Sequence, residues 1–352
     1  MRSTISHADV RRFPADRRTG RTTLRKILLA GVLVAGQLAL PASSAQGAVS
    51  CDGRTATIIG TEGPDSIIGT DGNDEIVALG GNDRVFAGPG ADVVCLGTGN
   101  DALNGGAGND VSVAEPVVDG IDSFAGGSGN DTARYAARAI AVAVSLDDVP
   151  DDGSGDETDN IHGDVENIVG GMARNTLRGS AADNILVGAG DGDVMYGNAG
   201  DDDLRGGGGN DALVGGSGDD VMSGDAGDDL EVADADPDGA DVFNGGSGRD
   251  TASYAGRTTA VRVFLDRLSN DGGGASGEGD NVGGLANDVE IIFGGSAADT
   301  VKAHTSFAGA RLEGRAGNDS ITSTNGTADT VDGGPGRDTC LADAIDAVAN
   351  CP

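Results

Sequence analysis

The 352 residues contain no tryptophan, and aromatic side chains make up only 3% of the chain. So few large rings argue against a bulky conventional core, where aromatics bury the most area each. Bases are scarce: 23 Lys and Arg stand against 57 Asp and Glu, a net charge of −34. Such acidity repels nucleic-acid phosphates and anionic membranes and attracts cations. The three histidines are His7, His162 and His304, so no HExxH zinc helix exists. No serine stands in a G-x-S-x-G elbow, and the cysteines lack zinc-like spacing. The longest apolar run, residues 27–40, is shorter than the ~20 residues that span a bilayer.

That run follows a basic stretch ending at Lys26 and precedes Pro41 and small residues. This is the pattern of a secretory signal, placed over residues 1–45; a membrane anchor is the other reading. Residues 1–45 hold eight bases and two acids, so the rest carries 15 bases against 55 acids, a net charge of −40. Four cysteines follow the signal: Cys51, Cys95, Cys340 and Cys351. An even count in an exported chain points to disulfides. Three pairings are open; Cys51–Cys95 with Cys340–Cys351 is favoured because each closes one end of the repeats.

Glycine is abundant, 63 residues, where an ordinary chain has about 7%. No collagen-like three-residue period accounts for it. The period is nine. From Gly60 the chain reads GTEGPDSII, GTDGNDEIV, ALGGNDRVF, AGPGADVVC, LGTGNDALN, GGAGNDVSV. Asp65, Asp74, Asp83, Asp92, Asp101 and Asp110 keep step, each two residues after a glycine and two before an inward position. The glycines allow a tight turn, and the last three residues of each unit form a short strand with its middle side chain inward. Two units make a turn, so residue i stacks on i+18. Asp65, Asp83 and Asp101 form one row; Asp74, Asp92 and Asp110 form the other. Carboxylates about 4.8 Å apart repel by roughly 1 kcal/mol in water and ~3.5 kcal/mol at an effective dielectric of 20. A divalent cation between turns reverses that sign. Calcium, a hard ion taking six to eight oxygens, suits carboxylates and turn carbonyls best.

A longer repeat overlies the short one. An offset of 119 carries the first array onto Asn184, Asp193, Asp202, Asp211, Asp220 and Asp229, then Asp122 onto Asp241 and Asp131 onto Asp250. Asn184 lacks the carboxylate charge and should weaken its site. Both copies insert three residues at one place and replace an inward apolar residue there, by Ser112 and Glu231. Each then has an alternating strand and an acidic loop, with Asp147, Asp151, Asp152, Asp156, Glu157 and Asp159 in the first. The loop reads either as solvated or as an extra calcium site. Asp234–Gly239 mimics the start of an EF-hand loop, but Gly245 stands where its glutamate belongs. The expected organisation is all-β: a parallel β-roll of two tandem modules, 49–178 and 179–303. Residues 304–352 form ragged repeats and a disulfide-closed cap.

The arrays resemble the RTX, or haemolysin-type, calcium-binding repeat family. The stretch GGSGNDTARYAARAIAVAVSLD…DNIHGDVENIVGG is also similar to the β-roll region of serralysin-type metalloproteases. The resemblance implies parallel β-rolls with multiple calcium ions between turns, folding when calcium is met outside the cell. It implies as ligands Asp65, Asp74, Asp83, Asp92, Asp101, Asp110, Asp122 and Asp131. In the second module it implies Asp193, Asp202, Asp211, Asp220, Asp229, Asp241 and Asp250, and further on Asp319. The toxins of this family carry an effector region and a C-terminal export signal; this chain shows neither pattern. The expected function is a secreted, calcium-binding structural or surface-interaction protein without catalysis, nucleic-acid partner or membrane insertion. The alternatives are an adhesin binding a partner or glycan along the roll, and an acidic-pair hydrolase or lyase on a solenoid. His162 and His304 read as surface loop residues.

Overall fold

Each nonapeptide supplies one short strand and one turn, and the strands pair in parallel with a step of 18. Ile67 faces Val85, Val85 faces Leu103, and Ile76 faces Val94. The computed structural model describes residues 49–266, 268–273, 279–283, 288–303 and 309–352. The expected signal over 1–45, Glu278 of the second copy's acidic loop (Asp266, Asp271, Glu278 and Asp280) and His304 lie outside these. The described residues belong to one compact unit, Gly47–Pro352, and they contain strands and turns but no helix.

Alternation along each strand buries the middle residue and turns its neighbours outward. Leu177, Leu186, Met195, Leu204, Leu213 and Met222 follow one another at nine-residue steps, all essentially inaccessible. The interior is thus a column of medium aliphatic side chains between two flat sheets. A regular nine-residue unit brings one inward side chain of medium size, and the buried rings Phe124, Tyr135, Phe243 and Tyr254 stand at the inserted turns.

Among the described residues the sheets have two, five, eleven, ten and five strands. The first face is a five-stranded sheet from Ser66–Ile68 to Asn160–Ile161; the opposite face is an eleven-stranded sheet from Ile58–Ile59 to Asn281–Val282. After Thr132–Arg134 the chain opens a third sheet at Ala143–Ser145, then returns to add Asn160–Ile161 as the last strand of the first. The ten-stranded sheet so begun continues to Ala347–Ala349. The second copy repeats the manoeuvre: Val261–Phe264 opens a sheet and Asn281–Val282 ends one.

One aspartate splices each exchange. Asp152 is buried, and its two oxygens accept the N–H of Ser145 at 2.6 Å and of Ile161 at 2.8 Å. One donor belongs to the incoming sheet, the other to the outgoing sheet. Asp271 does the same with Phe264 at 2.5 Å and Val282 at 3.1 Å. The acidic loop of the first copy therefore divides. Asp147, Asp151 and Asp156 are exposed, whereas Asp152, Glu157 and Asp159 are buried and hold the junction together.

Disulfides Cys51–Cys95 and Cys340–Cys351 close the two ends. Cys51 is fully buried, within a small cluster with Val77 and Val93. Cys340 continues the inward column by facing Ile321.

Candidate metal centres

The array aspartates stand where turn meets strand, and each commits one oxygen to the backbone. Asp92 Oδ1 accepts the Asp74 N–H at 2.7 Å, Asp101 that of Asp83 at 2.7 Å, and Asp110 that of Asp92 at 2.9 Å. In the second module Asp211 accepts from Asp193 at 2.6 Å, Asp220 from Asp202 at 2.8 Å and Asp229 from Asp211 at 2.8 Å. The two rows run through the three-residue insertion: Asp131 accepts from Asp110 and Asp250 from Asp229.

The second oxygen, Oδ2, is different. In Asp83, Asp92, Asp101, Asp110, Asp131, Asp193, Asp202, Asp211, Asp220, Asp229, Asp250, Asp319 and Asp338 it is buried and has no hydrogen-bond partner. Native structures pair nearly all buried polar atoms, and an orphan costs about 1–3 kcal/mol, more when charged. The same defect at one position of thirteen turns marks thirteen places for an electrophile. What faces the oxygen is also repeated. A Cβ on Gly126 would meet Asp131 Oδ2 at 2.5 Å and the Asp164 carbonyl oxygen at 2.7 Å. One on Gly245 would meet Asp250 Oδ2 and the Asp288 carbonyl, each at 2.6 Å. One on Gly105 would meet Asp110 Oδ2 at 2.5 Å and the Gly126 carbonyl at 2.6 Å. The bare glycine thus leaves a cradle lined by a carboxylate oxygen and a carbonyl oxygen of the next turn. That donor set fits a hard, oxygen-seeking cation. Among the described residues no three Asp, Glu, His or Cys side chains converge on one point. An ion here would take its remaining ligands from carbonyls.

The backbone four residues earlier decides whether Oδ2 is open. Each of the thirteen follows, by four, a residue with left-handed φ: Gly88 at 104° before Asp92, Ala189 at 88° before Asp193, Asp225 at 68° before Asp229. At four array positions where that residue is not left-handed, its N–H donates into the side chain instead. Thr61 caps Asp65 at 2.6 Å and Thr70 caps Asp74 at 2.7 Å, each adding its hydroxyl at 2.9 Å. Ser180 caps Asn184 at 2.6 Å and Gly295 caps Asp299 at 2.7 Å. Of the sixteen aspartates expected as ligands, twelve have the open oxygen, and Asp65 and Asp74 are satisfied by threonine. Asp122 and Asp241 keep the row by accepting from Asp101 at 2.9 Å and Asp220 at 3.0 Å, but neither has an orphaned oxygen. Asp338 was missed, although Gly334 four residues earlier carried the signal in GGPGRD.

Burial and neighbouring carboxylates raise several of the array acids above the ordinary range. Burial is the larger cause, and the backbone N–H bonds only partly offset it. Asp101 and Asp131 rise to about 6, Asp202, Asp211 and Asp250 to about 7.

At the inserted turns a guanidinium supplies the positive charge. Arg138 is fully buried, bonded to Asp119 at 2.6 Å and to both oxygens of Glu157 at 3.0 and 2.9 Å. Arg257 pairs with Asp238 at 2.6 Å, inside the segment that mimics an EF-hand start. That segment is a tight turn, in which Asp238 also accepts the Asp234 N–H.

Comparison with known families agrees with this geometry. The profile of the RTX calcium-binding nonapeptide repeat matches residues 59–94, 96–112, 118–134, 162–195, 169–204, 196–231, 238–252 and 308–340, together just over half of the chain. No curated protein matches the chain.

Proposed function

Because the chain belongs to the RTX calcium-binding nonapeptide repeat family, we propose that calcium ions lodge between its successive turns and that their arrival outside the cell completes the fold. The observation that carries this is the set of thirteen buried Asp Oδ2 atoms without partners. Asp83, Asp92, Asp101, Asp110 and Asp131 serve the first module; Asp193, Asp202, Asp211, Asp220, Asp229 and Asp250 serve the second; Asp319 and Asp338 serve the C-terminal turns. A bound ion would give each open oxygen its partner and replace repulsion along the row by attraction. Asp65 and Asp74, already capped, mark the end of the array. The apolar run before Pro41 sends the chain through an export route, where calcium is plentiful and the two disulfides persist. The product is a calcium-stiffened β-roll serving a structural or surface-interaction role.

Two substitutions separate open from capped aspartates. Asp211→Asn keeps an oxygen for the Asp193 N–H but removes the charge on Oδ2. Its calcium affinity is expected to fall about tenfold at the affected site, since ligand charge tunes affinity. Asp74→Asn is expected to leave calcium binding unchanged and to lose about 1 kcal/mol of stability from its threonine bonds. Isothermal titration calorimetry reads the first effect and urea unfolding the second. Equal losses of calcium affinity in the two variants would sink the assignment.

A further inference from the structure

A hydrogen-bond chain on the outer face of the first sheet is not required by the roll. Ser123 and Asn160 are direct partners in the parallel register between Ser123–Ser128 and Asn160–Ile161. Ser123 Oγ lies 3.0 Å from His162 Nε2, and His162 Nδ1 lies 3.1 Å from Asp148 Oδ1. Asp148 adopts a left-handed φ of 62° and also accepts the Gly163 N–H at 3.2 Å, which orients its carboxylate toward Nδ1. An ionised carboxylate only accepts, so Nδ1 carries the imidazole proton. Nε2 of the neutral ring is then bare and faces the serine hydroxyl. The Asn160 Nδ2 atom stands 3.4 Å from the same Nε2, beside Ser123.

The duplicated module serves as an internal control. Its equivalent strands, Val242–Ser247 and Asn281–Val282, pair in the same register, Val242 opposite Asn281. There Val242 replaces Ser123 and Gly283 replaces His162, while the asparagine is retained. The second module folds with neither the hydroxyl nor the imidazole. The chain Ser123–His162–Asp148 is therefore an addition to the architecture.

We propose that Ser123, His162 and Asp148 form a nucleophilic acyl-transfer site, open to solvent on the sheet face. Nucleophile, base and orienting carboxylate each lie within hydrogen-bond reach, the arrangement that recurs on unrelated folds. Ser123 Oγ attacks the carbonyl carbon of an ester while Nε2 takes its proton. The tetrahedral intermediate collapses, and the leaving alcohol departs with the proton from Nε2. Water then attacks the acyl–Ser123 ester with Nε2 again as base, releasing the carboxylic acid and restoring the serine. The Asn160 amide, opposite Ser123 in the register, is a side-chain donor for the transient oxyanion. The serine lies on the outward side of its strand, beside the inward Phe124, so the substrate class is small or surface-borne carboxylic esters. Ser123 and His162 are the catalytic residues; Asp148 is a positioning residue.

The test uses the full calcium-loaded protein with p-nitrophenyl acetate and an alkyl fluorophosphonate, the label located by peptide mass spectrometry. One fluorophosphonate per chain is expected, on Ser123. Ser123→Val and His162→Gly copy the residues that the second module accommodates, so both should fold, as circular dichroism would confirm. Each is expected to lose the label and to lower ester hydrolysis by about a hundred- to ten-thousandfold. Asp148→Asn should lower kcat with little change in KM, and Asp148→Glu should restore part of it. A label elsewhere or none, or hydrolysis as fast in Ser123→Val as in the parent, would overturn the proposal.

Discussion

Replacing Arg138 by methionine is expected to destabilise the calcium-loaded roll by about 3–5 kcal/mol, read as a lower urea midpoint. The guanidinium is fully buried, and its partners Asp119 and Glu157 are almost equally so. Removing it leaves two buried carboxylates together without their cation. Against a typical stability of 5–15 kcal/mol this is a large fraction. Burial alone would lift Glu157, yet the N–H groups of Ser154 and Asp119 together with Arg138 outweigh it and hold Glu157 ionised. Lysine should rescue only part of the loss, because one ammonium does not reproduce the planar fork. Adding Glu157→Gln and Asp119→Asn to Arg138→Met should recover most of it, since the charges vanish together. A loss below about 1 kcal/mol for the single variant would show that the junction does not depend on the ion pair.

The second large effect is on pH. In the metal-free roll Asp101, Asp131, Asp193 and Asp220 rise to about 6, and Asp202, Asp211 and Asp250 to about 7. An unfolded aspartate titrates near 3.9. Between these values the folded state binds more protons than the unfolded state, so stability falls as pH rises. The contribution is fully present below pH ~4 and is lost progressively up to pH ~7. Calcium acts on the same carboxylates in the opposite sense, because it needs them ionised. Chelator is therefore expected to abolish the cooperative thermal transition at pH 7.5 and to change little at pH 4.5. Thermal melts with and without chelator across that range check this. A metal-free protein more stable at pH 7.5 than at pH 4.5 would contradict the assigned environment of the array.

The rows were legible because a strict nine-residue period leaves little freedom. Identical side chains must stack, and the observed registers Val85 with Leu103 and Leu204 with Met222 keep the step of 18. The replaced inward positions were also legible: Ser112 faces Ala133 and Glu231 faces Ala252 within the column. Which aspartates keep an open oxygen was only half visible. Glycine four residues earlier announces the left-handed turn at Gly88, but Leu79, Ala189, Asn198 and Arg315 adopt it without being glycine. The junction was less legible still. Asp152 looks like any acid of its loop until Ser145 and Ile161 are brought to it from opposite sides. His162 reads as a loop residue because Ser123 lies 39 residues away and is joined to it only by sheet register.

On the proposed function, the buried carboxylate oxygens along the roll are the places that calcium fills. The most direct measurement is a calcium titration of the protein from excess chelator at pH 7.5, followed by far-ultraviolet circular dichroism. The predicted result is a cooperative gain of β-sheet signal with calcium that magnesium does not match, since magnesium demands a stricter octahedron. A complete β-sheet spectrum in chelator, unchanged by calcium, would contradict it.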